Sequence, residues 1–152
     1  MKDLSLHILD IVENSIRAEA RRVEILVVED VENDMLSLQI KDDGKGMGPE
    51  TARRAADPFV SGKPGRTVGL GLALLAQATR EAEGIFEISS VPEAGTTVTA
   101  AFRHSHPDRK PLGDIAATLE TLVAANPGVD FRYEHTAGIE VIRFDTREVK
   151  RL

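Results

Sequence analysis

The 152-residue sequence contains no cysteine, which rules out disulfides and cysteine-ligated zinc and agrees with a cytoplasmic setting. It has no apolar run approaching the ~20 residues needed to cross a bilayer. Its opening is an amphipathic stretch with acidic residues, unlike a signal peptide, so no membrane insertion is expected. Positive charge is outnumbered, with 19 Lys and Arg against 25 Asp and Glu. The net charge of −6 argues against nucleic acid as a partner, because binding to phosphate backbones depends on clustered cations. The cations that do gather, Arg53, Arg54, Lys63 and Arg66, surround one loop and suit a triphosphate better than a duplex. No internal repeat or low-complexity tract is present. What remains is a hydrophobic content of 41%, enough at this length for one domain with a real core and a modest extension.

Two glycine clusters carry the chemistry. Ahead of the first, Leu36, Leu38 and Ile40 alternate with Ser37, Gln39 and Lys41 at the two-residue period of a half-buried strand. Continuing the alternation places Asp42 on the buried face and Asp43 toward solvent. A carboxylate at the rim of an apolar layer is costly unless a donor satisfies it, and the exocyclic amine of adenine is such a donor. In Asp42-Asp43-Gly44-Lys45-Gly46-Met47, the glycines let the backbone approach a flat ring closely. Taken singly, Asp-Gly after a strand marks only a turn. The second cluster, Val68-Gly69-Leu70-Gly71-Leu72, opens a helix running to about Glu83. Unpaired amides at a helix start bind phosphate oxygens readily, and the alternative is a helix entry packed closely on a sheet.

A first helix is expected over Leu4 to Glu19, capped by Asp3. Leu9, Val12 and Ile16, with Ile8 and Ile11, form its apolar side. His7, Asp10, Asn14 and Arg17 fall on one polar stripe. The amide oxygen of Asn14 can hold a magnesium ion that also takes phosphate oxygens. Arg17 can meet a phosphate, and Asp10 can orient or deprotonate a nucleophile. The same stripe is also what a solvated helix face looks like.

The order of Glu13-Asn14-Ser15, Asp42-Asp43-Gly44-Lys45-Gly46-Met47 and Gly69-Leu70-Gly71-Leu72-Ala73 resembles the GHKL superfamily, the ATPase domains of gyrase, the large heat-shock chaperones, sensor histidine kinases and the mismatch-repair ATPase. The resemblance covers roughly residues 4 to 103. It implies that Asn14 is the magnesium ligand, Asp42 the adenine reader, and Gly44 and Gly46, with Met47, the walls of the base pocket. Arg17, Gly69, Leu70 and Gly71 would lie at the phosphates of ATP or ADP. Asp57-Pro58-Phe59-Val60-Ser61-Gly62-Lys63 resembles the phenylalanine box of histidine kinases, with Phe59 and Lys63 at the nucleotide. Gly95-Thr96-Thr97-Val98 resembles the late strand whose threonine backs up the aspartate. Alternation favours Thr96 for that role, with Thr97 as the alternative. Two positions depart from the pattern. Asp10 stands where hydrolysing members carry Glu as the general base, and Thr67 replaces a glycine before the second cluster.

The expected fold is an α/β two-layer sandwich, a mixed sheet with helices on one face. Its elements are a hairpin of Val23 to Glu29 and Leu36 to Lys41, a short helix at Pro49 to Ala56 and a lid over residues 57 to 68. The second long helix follows, then strands near Ile85 to Val91 and Thr96 to Arg103. A polar, proline-bearing connector from His104 to Leu112 then separates an ATP-binding domain, 1–103, from a C-terminal extension, 104–152. The extension is read as a helix over Leu112 to Ala125 and a hairpin of Val129 to Glu134 and Ile139 to Phe144 around Thr136-Ala137-Gly138. It packs on the body or on a second copy in a homodimer, or serves as the partner-binding surface.

The sequence opens almost at the magnesium helix, and none of His7, His104, His106 or His135 sits in a recognisable acceptor motif. The expectation is therefore a stand-alone histidine-kinase-like protein rather than a complete sensor kinase. Two functions stay open. One is a kinase passing the γ-phosphoryl group of magnesium ATP to histidine, serine or threonine of a partner protein. The other is a nucleotide-dependent binding switch or slow ATPase.

Overall fold

A computed structural model describes residues 3–55 and 70–150. The elements are α1 (Leu4–Arg17), β1 (Arg22–Asp30), β2 (Met35–Asp42), α2 (Pro49–Ala55), α3 (Leu70–Glu81), β3 (Ile85–Val91), β4 (Gly95–Arg103), α4 (Ile115–Ala125), β5 (Asp130–Ala137), β6 (Glu140–Asp145) and α5 (Thr146–Lys150). Among the described residues, six strands form one mixed sheet in the order β3-β4-β2-β1-β5-β6. Neighbours run antiparallel except β1 and β5, which are parallel with Arg22 opposite Asp130.

One face of the sheet is apolar because alternate residues are. Val23, Ile25 and Val27 on β1, Leu36, Leu38 and Ile40 on β2, Val98, Ala100 and Phe102 on β4, and Phe131 and Tyr133 on β5 are all buried. Against them pack Leu4, Ile8, Ile11 and Val12 of α1, Leu72 and Leu75 of α3, and Ile115, Leu119 and Leu122 of α4. This is the helices-on-one-face sandwich that the alternation predicts.

The helix ends carry their own logic. Asp3 caps α1 by accepting from Leu6 N–H at 3.0 Å. The N–H groups of Leu4 and Ser5, which no helical carbonyl can reach, donate to the carbonyls of Pro111 and Leu112 at 2.8 and 3.0 Å, so the connector is tied to the start of α1. The helix stops at Arg17, two residues before the expected end, because Glu19 turns left-handed (φ 64°). Glu19 N–H then bonds Ile16 C=O and Ala20 N–H bonds Ser15 C=O, a Schellman closure. α3 closes the same way, with Glu83 (φ 53°) at the left-handed position. Asp114 caps α4, which begins at Ile115 rather than Leu112. The last hairpin turns at Gly138-Ile139, one register later than the sequence suggests, with Gly138 at φ 63° supplying the bend.

Among the described residues no helix is long and apolar enough to cross a membrane.

Candidate functional site

The end of β2 delivers Asp42 to the core side of the sheet, in line with Leu36, Leu38 and Ile40, and half-buried as the alternation requires. Each carboxylate oxygen has a donor. Ser15 Oγ on α1 donates to Oδ2 at 2.6 Å, and Gly44 N–H donates to Oδ1 at 2.9 Å. Ser15 is itself buried, and its second acceptor, Ile11 C=O at 3.4 Å, is the weaker one. An ionised carboxylate accepts at about four lone-pair positions. Two donors therefore fix the group while leaving capacity for a ligand amine.

The loop after Asp42 is held backbone to backbone. Lys45 N–H donates to Ala18 C=O, the C-cap of α1, at 2.8 Å, and Glu93 N–H donates to Lys45 C=O at 2.5 Å. Gly44 fits here because a Cβ would lie 2.8 Å from Ala18 O. Gly46 is at φ 69°, and its Cβ would lie 2.0 Å from the carbonyl oxygen of Val91. Met47 N–H donates to Ser90 Oγ on β3 at 2.7 Å. Thr96 faces Asp42 across the β2–β4 register, on the side of Val98, Ala100 and Phe102, with its Oγ1 2.7 Å from Ser90 Oγ. Asp43 is exposed, but its carboxylate also accepts from the N–H groups of Arg21 and Arg22 at 2.8 and 3.0 Å, bracing the entry to β1.

The other half of the site lies along α1. Asp10 is half-buried against the first turn of α3, where a Cβ on Gly71 would come within 2.9 Å of Asp10 Cβ. Absence of that Cβ lets the two helices approach each other there. One turn on, half-buried Asn14 accepts from Arg17 Nη1 at 3.0 Å, while its Nδ2 is buried without a hydrogen-bond partner. Arg17 is exposed and lies 3.8 Å from Glu13 Oε2. His7, placed on the polar stripe by its spacing, is buried instead, beside Leu74 and Ala78 of α3 and Lys110 of the connector. Leu70 is the first residue of α3. Phe59, Lys63 and Gly69, with Arg66, Thr67 and the lid, lie outside the described residues.

The structure thus brings Asp42, Gly44, Gly46, Met47 and Thr96 into one cluster, and Asp10, Asn14 and Gly71 into a second. α1 links them, because Ser15 follows Asn14. Ser15 and Ser90, to which the sequence reading gave no role, are the hydroxyls that hold the first cluster together. A sequence signal existed for Ser15, which follows Asn14 in Glu13-Asn14-Ser15. For Ser90 none did, since its partners are 43 residues away (Met47) and across a hairpin (Thr96). Among the described residues, no group of three or more His, Cys, Asp or Glu side chains is arranged to hold a metal.

Comparison with known proteins identifies the family and the fold. Residues 2–106 match the family described as histidine kinase-, DNA gyrase B-, and HSP90-like ATPase. The non-motile and phage-resistance protein of Caulobacter vibrioides is 32% identical over 108 residues, covering 68% of this chain and 12% of that protein. The sensor histidine kinase YxdK of Bacillus subtilis is 32% identical over 108 residues, covering 66% of this chain and 33% of the relative. The chain therefore spans a third or less of the length of these relatives. The Aquifex aeolicus MutL ATPase domain complexed with ADP shares the fold, with a TM-score of 0.55 at 17% identity over 95% of this chain and 64% of that one. The chain belongs to the histidine kinase-, DNA gyrase B- and HSP90-like ATPase family, the GHKL superfamily, and carries its ATP-binding domain.

Proposed function

We propose that the chain binds magnesium ATP between α1, the end of β2 and the start of α3, and passes the γ-phosphoryl group to a histidine, serine or threonine of a partner protein. The observation that carries the base half of this reading is Asp42, a carboxylate held on the core side with one donor to each oxygen and acceptor capacity to spare. Adenine's amine satisfies that acceptor, whereas a carbonyl at the same place is repelled. Thr96 lies beside it, and Gly44, Gly46 and Met47 wall the base.

The phosphate half rests on α1. Magnesium keeps several waters and takes phosphate oxygens with few protein ligands. The single amide of Asn14, whose Oδ1 is held among the described residues only by Arg17, fits that habit. The Asn14 Oδ1, now shared with Arg17, would turn to the ion, freeing Arg17 for a phosphate. Leu70 and Gly71 open α3, and the unpaired amides of a helix start are where phosphate oxygens would bind. Phosphoryl transfer needs mainly positioning and charge neutralisation, which this set supplies when the partner brings the acceptor. Asp10, one turn before Asn14, would orient the nucleophile or take its proton. Its side chain is one methylene shorter than Glu, and that favours slow turnover or a binding switch as the second reading. The likeness to sensor histidine kinases supports the kinase reading; a cytoplasmic location and a protein partner, a second copy of the chain among the candidates, belong to the same proposal.

The experiment follows the γ-phosphate of labelled magnesium ATP with the protein alone and with cytosol. Asn14→Ala serves as control and Asp42→Asn as the test of base binding. Label on a protein, lost in Asn14→Ala, is the expected result. Label released only as inorganic phosphate shows an ATPase, and label remaining on bound ATP shows the switch. Asp42→Asn binding nucleotide as well as the parent overturns the pocket.

A further inference from the structure

Ser90 lies where the base pocket is assembled from two segments far apart in sequence. Its hydroxyl has one proton and two acceptor lone pairs, and three neighbours compete for them. Met47 N–H, at 2.7 Å, can only donate to it. The carbonyl of Gly95, at 3.2 Å, can only accept from it. Thr96 Oγ1, at 2.7 Å, can do either. The usual O–H···O separation is about 2.7–2.8 Å, so the Thr96 contact outweighs the one to Gly95. A Ser90 proton placed on Thr96 leaves Thr96 its own proton to turn toward the pocket. A Ser90 proton placed on Gly95 draws the Thr96 proton away from it.

Around this hydroxyl the two segments touch with no side chain between them. A Cβ on Gly46 would meet Val91 O at 2.0 Å, and one on Gly95 would meet Asp42 O at 2.1 Å. Such contacts fix distance but not the direction of hydrogen bonds. The Ser90 hydroxyl fixes both, joining the backbone of the pocket wall at Met47 to the hydroxyl that lies opposite Asp42 in the sheet register.

Resting on the adenine-pocket reading above, we propose that Ser90 is a positioning residue for base recognition. It holds the Met47 wall in place and orients the Thr96 hydroxyl as a donor beside the Asp42 acceptor. An acceptor next to a donor matches the amine and ring nitrogen of adenine. Inosine presents a carbonyl and a ring N–H instead, the reverse arrangement. Ser90 thereby sets preference for adenine over the 6-oxopurines and leaves phosphate binding alone.

The test is calorimetric titration of ADP, inosine diphosphate and pyrophosphate, each with magnesium, into the parent, Ser90→Ala, Ser90→Thr and Asp42→Asn. Ser90→Ala is expected to weaken ADP about tenfold, narrow the preference for ADP over inosine diphosphate, and leave pyrophosphate unchanged. Ser90→Thr, which keeps the hydroxyl, restores ADP binding. Ser90→Ala that binds ADP within about twofold of the parent, with the preference intact, overturns the proposal, as does equal loss of ADP and pyrophosphate. Should Ser90→Ala not fold, Ser90→Cys, slightly larger than serine, keeps the shape of the side chain with only a weak donor and acceptor, and parent-like ADP binding there overturns it equally. A parent that binds ADP no better than Asp42→Asn sinks the pocket itself. A parent that binds well beside an indifferent Ser90→Ala sinks only the role of Ser90.

Discussion

The bond from Ser15 to Asp42 is the joint between α1 and the sheet at the candidate site, and its strength can be measured by a double-mutant cycle of Ser15→Ala and Asp42→Ala. At 2.6 Å to a carboxylate oxygen it is charge-assisted, a class that contributes about 1.5–3 kcal/mol. Asp42 is only half-buried, so water can replace part of it and the lower end, about 1.5 kcal/mol, applies. Ser15→Ala alone gains back about 0.5 kcal/mol of helix propensity, leaving a net loss of about 1 kcal/mol. For a chain of this size that is a fall in Tm of about 2–4 °C. The cycle removes the propensity gain, because it is common to both arms, and should return a coupling of about 1.5 kcal/mol by urea denaturation. A coupling within the ~0.5 kcal/mol expected of independent sites would refute the joint, and with it the idea that Asp42 is pre-positioned before nucleotide arrives.

Three further outcomes follow from the same geometry. Gly46→Ala must place a Cβ in a left-handed backbone and against Val91 O, and is expected to cost at least ~3 kcal/mol in thermal melts. Gly48→Ala, with nothing within 4 Å, should stay within about 0.5 kcal/mol of the parent, and equal melts for the two would contradict the packing. Tyr133 is the sole tyrosine of a chain without tryptophan, so its phenolate absorbance is read without interference. Burial first, then the charge of Glu29, pushes its hydroxyl up to about 12. The folded protein should titrate there and the denatured chain near ~10, so stability falls above pH ~10, where only the unfolded chain releases the proton. Asp145 is held below the usual carboxylate range by its hydrogen bond from Arg22, then by Arg147 N–H. Its contribution is present above its unfolded pKa and lost as pH falls through its folded one. Asp145→Asn should therefore lower stability by about 1–2 kcal/mol at neutral pH and match the parent in strong acid. A gap that persists in acid would show that packing, not charge, is responsible.

Much of the sheet was legible from alternation, because one buried face imposes the period of two on β2 and β4. Asp42 came with it, as the next residue of that face. Its donors were not legible, since Ser15 reaches it only when α1 crosses the end of β2. Asp43 shows the limit of parity. It does face solvent, yet its carboxylate still braces the backbone at Arg21 and Arg22. His7 shows another limit, for helical spacing identifies a stripe but not what covers it, and here α3 and the connector cover it. The left-handed ends of α1 and α3 fall on Glu19 and Glu83, residues without the glycine signature of a helix stop. The pairing of β5 beside β1 carries no local signal, because parallel strands share no turn.

That parallel pairing also sets the order in which the chain can be finished on the ribosome. β1 meets β2 after a four-residue turn, but its other edge waits for Asp130 and the residues that follow. At ~5–20 residues per second of synthesis, the roughly 100 residues in between take about 5–20 s. Throughout that interval Ile25, Leu26, Val27 and Val28 form an open edge flanked only by Glu24 and Glu29, the kind of strand that recruits a neighbour. The nascent protein is therefore most exposed to mispairing while most of its candidate-site residues have already been made, and closure by β5 ends that exposure.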